Sequence, residues 1–207
     1  MIRVLLADDH PLVREGLKQL LSATADVRVE GEAANGDEAL ALIKANDFDI
    51  AVVDLSMPGL SGIELVKRLK LEKPRLRVLV LSMHGEQQYA ARALRAGASG
   101  YLTKDSAVEQ LVNAIRKVAA GGVHISEAAA AHLVASAAGD GPVHRRLSDR
   151  EFEVFRLLVA GHGPTEIADQ LHLSVKTVST HKTRILEKMG ADSIADLVRY
   201  AVENKLS

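Results

Sequence analysis

Asp54 closes the apolar run of residues 50–53 and is followed at once by the turn-rich stretch Leu55-Ser56-Met57-Pro58-Gly59-Leu60-Ser61-Gly62. A short β-branched run bounded by turn residues reads as a buried strand. In open α/β sheets the carboxyl end of such a strand is where ligand sites lie. Four more groups with usable chemistry stand at the ends of other apolar runs. Asp8 and Asp9 follow residues 2–7, Ser82 closes 76–82, and Lys104 follows 99–102. Three carboxylates drawn together repel by about 4 kcal/mol per pair at ~4 Å and an effective dielectric near 20. They demand a cation or a shifted pKa. An all-oxygen ligand set suits Mg2+, which keeps some waters and accepts a phosphoryl oxygen. With Lys104 as a fixed positive charge and Ser82 as a hydroxyl donor, the set suits phosphoryl transfer onto a carboxylate, Asp54 attacking in line. No glycine-rich phosphate loop is present, so nucleotide binding is not expected.

The elements that must position these groups follow from the alternation of two periods. Apolar runs at 2–7, 27–33, 50–53, 76–82 and 99–102 interleave with helix-like segments at about 11–22, 36–45, 61–72, 86–97 and 106–120. Five strand–helix repeats predict an α/β doubly wound parallel five-stranded sheet with helices on both faces. Asp105 or Ser106 is the expected cap of the fifth helix, and Gly97 and Gly121 are expected helix stops. The pattern then changes. Ser126 to Ala138 is alanine-rich and reads as a short helix, and Gly139-Asp140-Gly141-Pro142 reads as a breaker. The chain is thus divided into a first domain over 1–121, a linker with a short helix over 122–143, and an all-helical domain over 144–207.

In that last domain Ser148-Asp149-Arg150-Glu151 is a capping-box pattern, and Pro164 fits a first helical position. His172-Leu173-Ser174 makes a tight turn into a helix from Val175 to Met189 that Gly190 ends. Asp192 or Ser193 caps a last helix from 194 to about 204. Two short helices joined by a three-residue turn fit a helix-turn-helix. The whole chain carries 26 basic and 27 acidic residues, which by itself says nothing of nucleic acid. The local balance does: Ser174–Gly190 holds Lys176, Lys182, Arg184 and Lys188 against Glu187 alone. On that helix Val178, His181, Ile185 and Met189 share one face, expected to meet the core. Lys176, Ser179, Thr180, Thr183 and Glu187 lie opposite, with Lys182 and Arg184 at the flanks. Hydroxyls suit base edges and long bases suit phosphates. Cysteine is absent, which excludes disulfides and thiolate metal sites. With no long apolar span and no signal-peptide core, a soluble cytoplasmic protein is expected.

Asp8-Asp9, Val53-Asp54-Leu55-Ser56-Met57-Pro58-Gly59, Ser82 and Gly100-Tyr101-Leu102-Thr103-Lys104 resemble the receiver domain of bacterial two-component response regulators, a flavodoxin-like fold. The resemblance implies that Asp54 is the phosphoacceptor. It implies that Asp8, Asp9 and Asp54 hold Mg2+ together with the backbone carbonyl of Ser56. Lys104 would pair with the phosphoryl group, Ser82 would hydrogen-bond to it, and Tyr101 would be the aromatic switch. Leu147-Ser148-Asp149-Arg150-Glu151, Glu166-Ile167-Ala168 and Leu173-Ser174-Val175-Lys176-Thr177-Val178-Ser179-Thr180-His181 resemble the LuxR-type helix-turn-helix. Together they are similar to the NarL/FixJ class of response regulators. That similarity implies a sensor histidine kinase as phosphodonor, double-stranded DNA as target and a homodimer paired through part of the last helix. Carried over by position, Ser179, Thr180 and Thr183 face bases, while Lys176 and Lys182 contact phosphates.

Two other readings compete. The first domain would be a constitutive dimerisation module with an unused pocket, or the chain would be an aspartate-nucleophile phosphatase. The complete acid, hydroxyl and lysine set speaks against the first. The second requires a general acid two residues past the nucleophile, where Ser56 stands. His84 is expected to be solvated rather than catalytic, and His10 is not expected to ligate metal. Gly163-Pro164-Thr165 and Ser179 depart from the family's more usual residues, the latter where it bears on which DNA sequence is read.

Overall fold

A computed structural model of the 207-residue chain describes every residue except 58, 59, 61, 84, 85, 128, 131–141, 205 and 207, and leaves the side chains of 86–88 and 108 undescribed. The chain divides into two compact units, Met1–Ala138 and Gly139–Ser207. The expected linker helix over 126–138 and the breaker at 139–142 fall largely outside the described residues.

In the first unit five strands alternate with five helices: β1 Ile2–Ala7, α1 Pro11–Ser22, β2 Val27–Ala33, α2 Gly36–Ala45, β3 Ile50–Asp54, α3 Gly62–Glu72, β4 Arg77–Ser82, α4 Glu86–Arg95, β5 Gly100–Thr103 and α5 Lys104–Ala119. All strand pairs are parallel, in the order β2-β1-β3-β4-β5. β3 is central and every one of its residues is buried. This is why its sequence is a continuous apolar run and not an alternating one. One side of the sheet packs Val4, Leu6, Val52, Leu79 and Leu81 against Leu17 and Leu21 of α1 and Leu111, Ile115 and Val118 of α5.

Local chemistry sets the helix ends. Pro11 opens α1, and the Asn35 side chain caps α2 by accepting from the Glu38 amide at 2.8 Å. The cap of α5 is Thr103 rather than Asp105 or Ser106. Ser106 instead turns back and donates to the Thr103 carbonyl at 3.0 Å, which draws the helix start forward onto Lys104. Gly121 has φ +92° and turns the chain back toward the sheet. There the His124 amide donates to Ser99 O at 3.1 Å and the Tyr101 amide donates to His124 O at 2.8 Å. Gly100 makes room for this strap, since a Cβ there would stand 2.9 Å from the His124 carbonyl oxygen.

In the second unit a 3-10 turn, Val143–Arg146, precedes α6 Asp149–Val159, α7 Pro164–Leu171, α8 Val175–Met189 and α9 Ile194–Glu203. Ser148 and Glu151 complete a reciprocal capping box at the start of α6. Ser174 and Ser193 cap α8 and α9, and Gly190 ends α8 with φ +63°. Phe152 and Phe155 stack with centroids 6.1 Å apart. Buried His144 reaches the Tyr200 hydroxyl at 2.9 Å, tying the entry of this unit to α9. On α9 Leu197 and Ala201 are buried, whereas Val198 and Val202 are exposed.

Candidate functional site

The strand order determines which acids meet. β1 and β3 are direct neighbours, with Ala7 opposite Val53, so the residues that follow each end side by side. Asp8 and Asp54 are fully buried there. Asp8, Asp9, His10 and Asp54 each bring one ligand atom into a group whose members all lie within 4.8 Å of one another. β4 and β5 complete the rim, with Ser82 opposite Thr103 and Lys104 immediately after it.

Lys104 is the hinge of the electrostatics. Its Nζ stands 2.7 Å from Asp54 Oδ2 and 2.7 Å from Asp8 Oδ2, and its side chain is 8 % exposed. The contact to Asp54 is a hydrogen bond. The one to Asp8 is at ion-pair distance, yet Asp8 Oδ2 receives no hydrogen bond of good geometry. The Ser56 amide donates to Asp54 Oδ1 at 3.0 Å. Burial pushes the Asp54 carboxyl above its ordinary range; Lys104 and the Ser56 amide pull the other way without cancelling it, and Asp8 adds to the rise. Burial alone would lower the Lys104 ammonium, but Asp54 and Asp8 outweigh it and raise its pKa. One ammonium therefore serves two buried carboxylates, with Asp9 beside them. The set remains short of positive charge, which is the condition for taking up a cation. Asp9 Oδ1 is also buried without a hydrogen-bond donor.

Ser82 and Tyr101 are both fully buried. Met57, in the loop that follows Asp54, is buried, while Pro58, Gly59 and His84 lie outside the described residues. That loop approaches α2 so closely that a Cβ on Gly36 would lie 1.5 Å from Leu60 O. The His10 side chain is exposed, yet its Nδ1 is 2.9 Å from Asp9 Oδ1 and 3.3 Å from Asp8 Oδ1. Nothing in its position after an acid pair distinguishes it in the sequence. The turn that brings its ring back over the acids arises because its amide donates to Asp8 Oδ1 at 2.8 Å.

In the second unit α8 buries Val178 and Ile185 and exposes Lys176, Ser179, Thr180, Thr183, Arg184 and Glu187. Lys182 is half-buried at the flank. The hydroxyls of Ser179, Thr180 and Thr183 donate to the carbonyls of Val175, Lys176 and Ser179, at 3.0, 3.0 and 3.2 Å. The side chains are thereby held in one rotamer along an exposed face. His181 faces inward, and burial lowers its pKa. Beneath the helix, buried Glu151 accepts from Lys188 Nζ at 2.6 Å and from the Ser148 amide at 2.7 Å. The capping-box pattern announced the second bond but not the first, because the lysine is 37 residues away.

A doubly wound sheet with buried acids and a lysine at its carboxyl edge, followed by a helix-turn-helix unit, defines a response regulator. Comparison with known proteins gives the same class. Residues 4–116 match the response regulator receiver domain, and residues 145–201 match the bacterial regulatory proteins of the luxR family. The oxygen regulatory protein NreC of Staphylococcus carnosus is 36 % identical over 214 residues, covering 99 % of both chains. The transcriptional regulatory protein MctR of Rhizobium johnstonii is 35 % identical, covering 98 % of this chain and 94 % of its own. A solved structure of the Salmonella typhimurium response regulator RcsB, 30 % identical, superposes with a TM-score of 0.73, covering 100 % of this chain and 98 % of its own. Another shows that regulator from Salmonella enterica serovar Typhimurium bound to a promoter in the presence of a phosphomimetic, with a TM-score of 0.66 and 30 % identity over 97 % of this chain and 98 % of its own. The chain belongs to the response regulators that join a receiver domain to a LuxR-type DNA-binding domain, the NarL/FixJ class. Among the described residues no helix is long and apolar enough to cross a membrane.

Proposed function

We propose that the protein is a cytoplasmic transcription regulator switched by phosphorylation of Asp54, and not an enzyme that turns over a separate substrate. The observation that carries this is the ammonium of Lys104 held 2.7 Å from both Asp54 and Asp8 in a buried, cation-deficient acid cluster. A sensor histidine kinase supplies the phosphoryl group. The Asp54 carboxylate forms a bond to phosphorus as the phosphorus–nitrogen bond of the donor phosphohistidine breaks, and the departing imidazole takes up a proton. Asp8, Asp9, Asp54 and the Ser56 carbonyl would hold Mg2+, which supplies positive charge toward the phosphoryl oxygens. Lys104 is already placed at Asp54 to pair with the incoming charge. Ser82, at the end of the neighbouring strand, hydrogen-bonds to it, and Tyr101 is the aromatic switch that responds when Ser82 moves. The added charge biases a two-state receiver, and a homodimer then engages double-stranded DNA. On α8, Ser179, Thr180 and Thr183 meet base edges while Lys176 and Lys182 meet phosphates. The departing group of a small-ester phosphatase would need a proton donor two residues after Asp54, and Ser56 has no acid to offer.

The test is treatment of wild type and Asp54→Asn with a small phosphodonor, with and without Mg2+, following mass, oligomeric state and DNA binding. A single Mg2+-dependent phosphoryl addition, absent from the variant and accompanied by tighter DNA binding, is expected. Phosphodonor-dependent dimers or DNA binding in Asp54→Asn would refute the switch. Multiple-turnover release of phosphate from small esters would restore the enzyme reading.

A further inference from the structure

The function proposed above sets α8 against base edges, and the hydrogen bonds of its own side chains decide which edges it suits. Val175, Ser179 and Thr183 follow one another at every fourth position, one row along the helix, with Thr180 beside them. All four are exposed. Val175 opens the helix with 45 % of its surface accessible, at a start fixed by the Ser174 hydroxyl oxygen, which accepts from the Thr177 amide at 3.0 Å. In a helix-turn-helix the first turns of the second helix are the part that reaches base edges. An aliphatic side chain therefore stands where bases are met.

The three hydroxyls of this face are already committed. Ser179 Oγ donates to Val175 O at 3.0 Å, Thr180 Oγ1 to Lys176 O at 3.0 Å and Thr183 Oγ1 to Ser179 O at 3.2 Å. A hydroxyl has one hydrogen, so each oxygen keeps only lone pairs for a base and accepts without donating. In each threonine the oxygen takes the branch beside the helix backbone, which leaves the methyl as the outer branch. The face thus offers methyls from Val175, Thr180 and Thr183 together with acceptor oxygens. Lys176 and Lys182 are the phosphate contacts of the proposed function, and Arg184 stands at the flank. Guanine shows the major groove two acceptors, N7 and O6, which accept-only oxygens cannot satisfy. Adenine shows an N6 amine, and its partner thymine a C5 methyl. A G·C pair has the cytosine amine but no methyl, so only A·T matches both features.

We propose that Val175, Thr180 and Thr183 read thymine C5 methyls in the major groove while the Ser179 oxygen accepts from an exocyclic amine, so that the half-site under α8 is chosen for A·T pairs. Val175, which lies outside the base-reading set given above, is thereby a specificity-determining residue. The proposal rests on α8 being the helix that meets base edges, and it adds which base chemistry that helix recognises.

The experiment uses the full-length protein, treated with a small phosphodonor and Mg2+, and duplexes it selects from a random pool. The selected half-sites should carry A·T pairs at the positions α8 covers. Replacing one of those thymines by deoxyuridine removes a methyl and nothing else, and should weaken binding about fourfold, the worth of one buried methyl group. Val175→Ala and Thr183→Ser take methyls from the protein instead, and each should make binding indifferent to deoxyuridine at one thymine position. Thr183→Val keeps the methyl and drops the hydroxyl, so its response to deoxyuridine should match that of wild type. The side chains are exposed, so these variants keep the fold, and the deoxyuridine test on wild type stands without them. Half-sites built on guanine, no response to deoxyuridine at any thymine, or a response that survives Thr183→Ser and disappears in Thr183→Val would overturn the proposal and leave base reading by α8 intact. Equal binding to selected and scrambled duplexes would instead overturn base reading itself.

Discussion

Replacing Lys104 by methionine gives the most direct measure of how the pocket is balanced. Methionine keeps an unbranched side chain, one atom shorter, and removes its charge. It leaves Asp8 and Asp54, both fully buried, without the ammonium that stands 2.7 Å from each. Removing one partner of a buried ion pair costs about 3–5 kcal/mol. The loss should depend on pH in a defined sense. The Asp54 carboxyl already lies above its reference value of 3.8 because burial outweighs the pull of Lys104 and the Ser56 amide. Without Lys104 it rises further. Above pH 3.8 the native variant then binds more protons than the unfolded chain. Stability therefore falls as pH rises through the native-state pKa and is highest on the acid side of that window. The variant should lie nearest to wild type at pH 5 and farthest from it at pH 8. A bound divalent ion replaces the lost charge, and about 100-fold excess over its dissociation constant contributes ~2.7 kcal/mol. Mg2+ should thus recover more stability in Lys104→Met than in wild type. The assay is urea-dependent amide exchange read by mass spectrometry on peptides of β1 and β3, which reports the first unit alone. A loss below about 1 kcal/mol, equal at both pH values and insensitive to Mg2+, would refute the reasoning.

Gly36→Ala places a Cβ where Leu60 O stands at 1.5 Å, a collision with backbone that the loop after Asp54 must relieve by moving. We expect a cost of about 1–3 kcal/mol and slower phosphorylation of Asp54 by a small donor, measured by mass. Glu151→Gln removes the charge that accepts from Lys188 and completes the cap of α6. Burial alone would raise the Glu151 carboxyl, but Lys188 and Ser148 outweigh it and hold its pKa below 4.5, so its stabilisation is full above pH 4.5 and is lost as pH falls through the native value. Discounted for the exposure of Lys188, the cost near neutrality is about 1–2 kcal/mol, and it should shrink in acid when exchange is followed in α6 and α8. Ser179→Ala with Thr183→Ala should reduce discrimination between DNA sequences by about 1–3 kcal/mol per contacted base pair and change non-specific binding little. Fluorescence anisotropy on selected and scrambled duplexes measures both, and an equal loss on each would contradict base reading.

Local sequence determined the elements of this protein, because strands, helices and their ends are set by residues that are near neighbours in the chain. The apolar runs, Pro11, Asn35, Ser148, Ser174, Ser193 and Gly190 each act within a few residues of themselves. The sheet class was legible for a similar reason: a fully buried central strand such as β3 has to be apolar on both faces. Even the carboxyl-edge position of Asp8, Asp9, Asp54, Ser82 and Lys104 could be read, since each follows its own strand. What only tertiary structure decided was which of them share a counter-charge. That Lys104 bridges Asp8 and Asp54 depends on the order β2-β1-β3-β4-β5 and on a 50-residue separation that no local pattern records. The return of His10 over the acids, the seat of Lys188 on Glu151 and the tie of His144 to Tyr200 are likewise distant contacts made by side chains with common solvated alternatives. Their energies come from burial and from the surrounding packing. An isolated histidine, lysine or tyrosine in a sequence carries no mark of the partner that the fold will bring to it.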